Sequence, residues 1–177
     1  MTAGSMTDRM LGALRLQTAV YEEVEADEKA TGEAAFIIVA TSLLSGAVNG
    51  VVTGSSSGFF GALGSFLGWV FYAWVAYIVG VRLFPGKETK SSWGEVARTL
   101  GYANTPRFLI IFELVPGLQA ITRTVVGLWV LVATIVALRS ALDISTGRAI
   151  WIAIASAIAQ VIVIAVALSL AAAFFSG

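Results

Sequence analysis

The sequence contains no cysteine and no histidine, which excludes several kinds of chemistry at once. Without cysteine the chain has no disulfide, no thiolate metal ligand and no cysteine nucleophile, and without histidine it has no imidazole acid or base. No set of metal ligands and no nucleophile with an adjacent base is recognisable among the remaining residues. We therefore expect neither a cofactor nor a metal site, and we expect no enzymatic activity.

Charged residues are also scarce, and this limits both the solvent environment and the binding partners that the chain can have. They make up 12% of the 177 residues, whereas hydrophobic residues make up 58%, so too little polar surface is available to cover a compact soluble domain. The formal net charge is zero. Proteins that bind nucleic acid need a surplus of Lys and Arg, so no nucleic acid partner is expected. One membrane domain is the simplest interpretation.

Five long stretches between residues 34 and 175 are almost free of charge. A hydrocarbon layer about 30 Å thick requires roughly 20 helical residues, which the first, second and fifth stretches supply alone. The third and fourth stretches need flanking residues. We predict an all-α, polytopic integral membrane protein with five transmembrane helices. The spans are expected at about 34–53, 58–83, 106–118, 120–141 and 148–175, within a membrane domain of residues 34–177.

The basic residues predict the orientation, because Lys and Arg near the ends of spans tend to remain in the cytoplasm. Five spans with a cytoplasmic N-terminus leave only Arg123 outside, out of 11 basic residues. If 108–138 were one kinked helix, Arg123 would lie within hydrocarbon, which is costly. We therefore predict that the N-terminus is cytoplasmic and that the C-terminus is outside.

Two further helices are predicted outside the spans. Residues 1–33 should form a cytoplasmic amphipathic helix, because apolar residues from Met10 to Val24 recur at helical spacing. A solvated acidic run without a partner is an alternative interpretation of its end. Ser92 and Glu95 have the spacing of a capping box, so a second helix should begin there. We interpret it as an interfacial helix that precedes the third span.

Two opposite charges flank the connection between the third and fourth spans. Pro116 and Gly117 predict a tight reversal there. Glu113 lies five residues before Leu118 and Arg123 lies five residues after it, so antiparallel helices would bring the two charges to a similar depth. We expect an intramembrane ion pair that lowers the cost of burying the carboxylate. An ion or proton path through Glu113 is the alternative that the sequence leaves open.

Small residues form stripes on the second and fifth spans. The spacing of Gly64 and Gly68 is typical of helices whose backbones approach closely. Such stripes indicate where helices touch, and they do not distinguish contacts within one subunit from contacts between subunits. The expected packing positions are Gly61, Gly64, Gly68, Ala149, Ala153 and Ala157.

Several short motifs, in a specific order, resemble those of a known family. They lie at 100–106 (LGYANTP), 115–117 (VPG), 137–142 (ALRSAL) and 145–149 (STGRA), after an acidic run that follows Tyr21. In this order they resemble the prokaryotic branch of the Yip family, the Ypt-interacting membrane proteins. The residues that carry the resemblance are Gly101, Tyr102, Ala103, Pro106, Pro116, Arg139 and Arg148.

The resemblance implies five spans, a cytoplasmic N-terminus and almost no C-terminal tail, in the cytoplasmic (inner) membrane of a prokaryote. Eukaryotic members of the family act in membrane traffic and contact Rab-type GTPases. The Asp-Leu-Tyr-Gly-Pro pattern of their N-terminal segment does not occur in this sequence. A GTPase partner is therefore doubtful.

Together these observations predict a non-enzymatic membrane organiser, adaptor or accessory subunit that acts through helix packing and protein contacts. The expected partners are membrane lipids and either further copies of the chain or other membrane-protein subunits. Two alternatives remain open: a small transporter or channel that uses Glu113, and a fixed subunit of a larger membrane complex. An anionic headgroup site at Arg107, Arg139 and Arg148 is conceivable, although positive-inside anchoring explains these arginines more simply.

Overall fold

The computed structural model describes residues 4–54, 58–86 and 89–176, and the side chains among them except at 58–62, 167, 168, 170–172 and 174–176. This part of the chain is helical and contains no strand. The α-helices are α1 (Met6–Leu14), α2 (Thr18–Ala26), α3 (Ala30–Thr53), α4 (Gly58–Tyr77), α5 (Trp93–Tyr102), α6 (Gln119–Leu142) and α7 (Thr146–Ser176). A π-helix (Ile78–Leu83) extends α4, and a 3₁₀ helix (Thr105–Leu114) follows α5.

The N-terminal region forms two helices where one was predicted. A capping box begins α1, because the hydroxyl of Ser5 accepts a hydrogen bond from the backbone N–H of Asp8 and the Asp8 carboxylate accepts from the N–H of Ser5. The helical pattern is interrupted at Leu16, which has a φ of 57°. This left-handed conformation ends α1, and α2 then packs beside it, with Val20 against Gly12.

Four helices are long and apolar enough to cross a membrane, judged by length and composition. They are Ala30–Thr53, Leu63–Leu83, Gln119–Leu142 and Thr146–Val166. They correspond to the first, second, fourth and fifth predicted spans, although α3 begins earlier than expected, at Ala30. It ends at Gly54, whose φ of 72° is a conformation that glycine adopts without strain.

The third predicted span differs from the expectation. Its residues form the 3₁₀ helix Thr105–Leu114, with Pro106 in the first turn, where the missing N–H of proline is tolerated. A 3₁₀ helix rises about 2.0 Å per residue, so this one covers about 20 Å and not the roughly 30 Å of hydrocarbon. This segment is therefore not among the helices long enough to cross a membrane, and the third span predicted at about 106–118 is not confirmed.

The reversal predicted at Pro116 and Gly117 is observed. Gly117 has a φ of 87°, which suits glycine. Its N–H donates a hydrogen bond of 2.9 Å to the side-chain oxygen of Gln119, the first residue of α6. As a result, the 3₁₀ helix and α6 pack against each other as a helical hairpin.

Hydrogen bonds bring the end of α6 and the start of α7 next to the chain that follows α4. The hydroxyl of Thr89 donates to the carbonyl of Leu142 at 2.7 Å. The guanidinium of Arg148 donates to the carbonyl of Pro85 at 3.1 Å. Leu142 also packs against Gly80 of the π-helix. Thus α4 and α6 end, and α7 begins, at the same end of the helix bundle.

The helix expected to begin after Ser92 is α5, and its capping box with Glu95 is formed in both directions. It packs on the start of α3, where Gly101 faces Ala34. A Cβ atom added to Gly101 would lie only 2.5 Å from the Cβ of Ala34. Close helix approach at a glycine therefore occurs here, between α3 and α5.

Replacing Gly101 with alanine should destabilise the protein. The added methyl group has no room against Ala34, and overpacking of this kind typically costs about 1–3 kcal/mol. Gly32→Ala is the matched control, because a Cβ atom at Gly32 meets nothing within 4 Å. Thermal unfolding in detergent should show a lower Tm for Gly101→Ala and an equal or higher Tm for Gly32→Ala. Equal behaviour of the two variants would contradict the observed packing.

Candidate functional site

The structure brings Glu113 and Arg123 together. The carboxylate of Glu113, at the end of the 3₁₀ helix, accepts hydrogen bonds from Nε of Arg123 at 3.1 Å and from Nη2 at 2.7 Å. The two side chains are exposed to very different degrees, because Arg123 is 62% exposed and Glu113 only 2%. The buried carboxylate of Glu113 therefore has both oxygens hydrogen-bonded to a cation on the exposed surface of the helices.

The glycine stripe of the second span does not form the expected close contact between helix backbones. A Cβ atom at Gly64 would meet nothing within 4 Å, and one at Gly68 would meet only the side-chain nitrogen of Gln160. That nitrogen donates to the carbonyl of Gly68 at 2.8 Å. Gly61 lies outside the residues whose packing the structure describes.

The alanines predicted on α7 have different environments. Ala149 and Ala153 are buried in the core, whereas Ala157 is exposed. The hydroxyl of Tyr72 donates to the carbonyl of Ala153 at 3.2 Å, which ties α7 to α4. The start of α7 is therefore the part of the predicted stripe that packs against the rest of the chain.

The motif residues divide into a buried group and an exposed group. Gly101, Tyr102, Ala103 and Pro106 are buried where α5 leads into the 3₁₀ helix, whereas Pro116, Arg139 and Arg148 are exposed. The structure does not bring the three arginines of the conceivable headgroup site into one cluster. Arg148 binds backbone carbonyls after α4, and Arg139 lines a surface depression with Glu22 and Asp143.

A buried ion cluster lies around Arg9, whose role the sequence did not reveal. Its side chain is only 3% exposed and forms salt bridges with Glu23 at 2.9 Å, Asp27 at 2.7 Å and Glu33 at 3.2 Å. The hydroxyl of Tyr102 also donates to Glu33. Burial alone would lower the pKa of Arg9, but the hydrogen bonds to Asp27, Glu23 and Glu33 raise it above the usual value.

Two other sets of contacts join the N-terminal helices to α5 and α6. The buried guanidinium of Arg98 on α5 donates to the carbonyls of Val24 and Glu25 at the end of α2. The indole N–H of Trp129, near the middle of α6, donates to the carbonyl of Leu14 at 3.0 Å. The α1–α2 pair is therefore held against α5 and α6 and does not extend freely into solvent.

One acid of the N-terminal pair has an unusual environment. Burial, the largest cause, and the negative charges of Asp143, Glu95 and Glu22 together raise the pKa of Glu25 to about 7, against a smaller opposing effect of Arg98. This carboxyl group takes up a proton close to neutral pH.

A cavity of about 820 Å³ lies between α4, α6 and α7 and is closed on another side by α3 and the junction of α5 with the 3₁₀ helix. Its described lining is mostly apolar, with Gly64, Gly68 and Gly127 providing space. The polar side chains in the wall are Thr41, Ser42, Ser65, Tyr72, Asn104, Arg107, Thr134 and Gln160. Sequence reasoning missed this cavity, because it is built from six separate elements.

Arg107 is the one charged side chain among the described residues of the cavity wall. It is half-buried, and no carboxylate or carbonyl within the described part of the chain accepts a hydrogen bond from its guanidinium or pairs with it. Trp69, in the same wall, also has an indole nitrogen without a hydrogen-bond partner among the described residues. Two donors in this wall, the guanidinium of Arg107 and the indole N–H of Trp69, therefore lack an acceptor among the described residues.

These features define a class of protein before any comparison is made. The four long apolar helices indicate an integral membrane protein. Among the residues that the structure describes, no group of three or more Asp or Glu side chains is arranged to hold a metal ion.

The comparison with family models then identifies the family. The model of the Yip1 domain matches residues 12–168, so the chain belongs to the Yip1 family of membrane proteins. Searches of curated proteins and of solved structures found no match. The family assignment predicted from the motifs is confirmed.

Replacing Arg123 and replacing Glu113 should lower the thermal stability of the protein by different amounts. Arg123→Gln leaves a carboxylate buried without a partner, which is the costly way to break an ion pair, so Tm should fall by several degrees. Glu113→Gln leaves an arginine that is already 62% exposed, so its effect should be clearly smaller. The double variant should recover most of the loss. Equal losses for the two single variants would show that the burial of Glu113 does not govern the pair.

Replacing Arg9 should release the N-terminal helices. In Arg9→Gln, Glu23, Asp27 and Glu33 lose their shared cation and repel one another, so amide hydrogen exchange in α1 should become about tenfold faster or more. Amide hydrogen exchange in the part of α6 that does not contact α1 or α2 should change little. Arg15→Gln is the control, because Arg15 is exposed on the same segment and its side chain has no partner in the described residues. Unchanged exchange in Arg9→Gln would contradict the role of the cluster.

Proposed function

We propose that this Yip1-family protein is a non-enzymatic membrane organiser, adaptor or accessory subunit that acts through helix packing and protein contacts. The observation that carries the proposal is the fixed position of α1 and α2 on the membrane helices, through Arg9, Arg98 and Trp129. A rigid helix pair beside a membrane domain presents a defined surface to a partner, without the ordering cost that a flexible tail would incur on binding.

The surface of this helix pair is acidic. Glu22 on α2 and Glu28, just after its end, are exposed, whereas Glu23 and Asp27 are paired with Arg9. Rim charges of this kind steer association and select partners of opposite charge. The proposed contact surface therefore consists of Glu22 and Glu28, which we call the α2 surface, with a basic region of the partner opposite it.

The membrane helices leave room for lateral partners. Between 22% and 39% of the apolar window of each candidate span is buried inside the chain. Most of each span is therefore available to lipid or to neighbouring helices, including further copies of this chain or other membrane subunits. Association between helices in a bilayer depends on close packing and hydrogen bonds, because lipid is as apolar as the helices.

A transport function is less well supported. A carboxylate in a transport path needs access to water or to the transported ion. Glu113 is only 2% exposed and its two oxygens already accept hydrogen bonds from Arg123. The same geometry suits an ion pair that holds the hairpin of the 3₁₀ helix and α6 closed.

Five passages through the bilayer, with a cytoplasmic N-terminus and an external C-terminus, form part of the proposal, as does the inner membrane of a prokaryote. The hairpin at Gly117 supports an odd number, because α6 begins where the 3₁₀ helix ends. The contacts of Thr89 and Arg148 support it as well, because the end of α6 then lies on the same side as the chain that follows α4. The chain between α4 and the start of α6 would therefore cross the bilayer once. The third passage would then consist of the 3₁₀ helix with 115–118, and α5 would precede it at the interface.

The test is gentle detergent extraction, followed by measurement of the native mass and identification of the chains that co-purify in fixed proportion. We expect a defined oligomer or a defined complex. The double variant Glu22→Lys/Glu28→Lys should lose at least about 90% of a partner that binds the α2 surface, because the charge reversal makes the contact repulsive. Thr7→Lys is the control, because Thr7 is exposed on α1.

Two results would contradict the proposal. One is a monomer without a stoichiometric partner in several mild detergents and in native membranes. The other is ion flux in reconstituted vesicles that depends on Glu113, which would favour the transporter.

A further inference from the structure

We propose that the cavity between α4, α6 and α7 is a binding site for one anionic phospholipid, with the headgroup phosphate on Arg107 and an acyl chain along the apolar wall. The site is separate from the α2 surface, so it does not depend on the proposed adaptor function. The proposal rests on the charge of the cavity, on the state of its polar side chains and on its shape.

The charge of the cavity favours an anion. Arg107 carries the one formal charge in the described wall, and no described acid compensates it. A cation held against apolar surroundings without a partner is costly, and natural proteins usually pair such a group. The contrast within this chain is direct, because Arg9 and Arg123 both have carboxylate partners at 2.7 Å. Among the described residues Arg107 therefore lacks an acceptor, and an anionic ligand in the cavity would supply one.

The remaining polar side chains leave Arg107 as the main anchor. Tyr72, Asn104 and Gln160 each already donate a hydrogen bond to a backbone carbonyl, at 3.2, 2.8 and 2.8 Å. Asn104 retains a second N–H and lies one helical turn before Arg107, in the same wall. A phosphate group, with several acceptor oxygens, fits a guanidinium that can donate two parallel hydrogen bonds.

The shape and the apolar lining favour a lipid over a free anion. A Cβ atom added to Gly64 or to Gly127 would meet nothing within 4 Å, so the apolar part of the cavity has open space. Leu131, Ile154 and Ile164 line the cavity and are 51%, 43% and 50% exposed, so the wall is not sealed. A small hydrated anion would leave this apolar space unused, whereas an acyl chain would fill it.

The experiment compares two lipids with identical acyl chains, phosphatidylglycerol and phosphatidylcholine, at equal concentration with the purified full chain. Native mass spectrometry after detergent exchange measures the retained lipid. The unmodified protein should retain phosphatidylglycerol at least about tenfold more than phosphatidylcholine, since a hydrogen bond to a charged group is worth at least that factor. Arg107→Gln should lose this preference. Arg139→Gln, which removes a cation outside the cavity, should keep it.

A second pair of variants tests the acyl chain and keeps Arg107 in place. Gly127→Leu fills the open space and should reduce the retention of both lipids by about tenfold, whereas Gly32→Leu, at an open position outside the cavity, should have no effect. This pair decides the question if Arg107→Gln does not give a folded, monodisperse protein. Circular dichroism and gel filtration establish that each variant is folded.

Four results with the lipids and variants would overturn the proposal, and a fifth, with inorganic phosphate, would do so as well. The four are equal retention of the two lipids by the unmodified protein, an unchanged preference in folded Arg107→Gln, equal losses in Arg107→Gln and Arg139→Gln, and full retention in Gly127→Leu. Displacement of phosphatidylglycerol by millimolar inorganic phosphate would identify a free anion as the occupant and would also overturn it.

Discussion

The buried guanidinium of Arg9 connects four helices through one side chain. Glu23 and Asp27 belong to α2 and its C-terminal cap, Glu33 belongs to α3, and Tyr102 of α5 donates to Glu33. Without the cation, three carboxylates would face one another at short range. The packing of α1 on α2 and of this pair on the start of α3 therefore depends in large part on a charge that lies almost entirely out of solvent.

Local signals in the sequence were sufficient for part of this structure. The capping box at Ser92 and the reversal at Gly117 each depend on residues within a few positions, and the Glu113–Arg123 pair joins residues that flank that turn. The partners of Arg9 are 14, 18 and 24 residues away. They meet only because the chain breaks at Leu16 and turns again before α3, and no periodic pattern indicates either change of direction.

Hydropathy and spacing were less informative about the third span and the glycine stripe. An apolar run indicates that a segment avoids water. It does not distinguish an α-helix, which rises about 1.5 Å per residue, from a 3₁₀ helix, which rises about 2.0 Å, and for this reason the 3₁₀ helix was not predicted. Small residues such as Gly64 and Gly68 either admit a neighbouring backbone or leave a space. Here they line a space beside Arg107, whereas the close approach falls at Gly101, which spacing alone did not single out.

The contact of Leu14 with Trp129 has a consequence for biosynthesis. The two residues are separated by 115 positions, and α2 also packs on α5 and α6. Translation releases the N-terminal part of a chain first. When α1 and α2 leave the ribosome, the surfaces that they cover have not yet been synthesised. The α1–α2 pair is therefore among the last parts of this chain to reach its final contacts, after α6 has been synthesised.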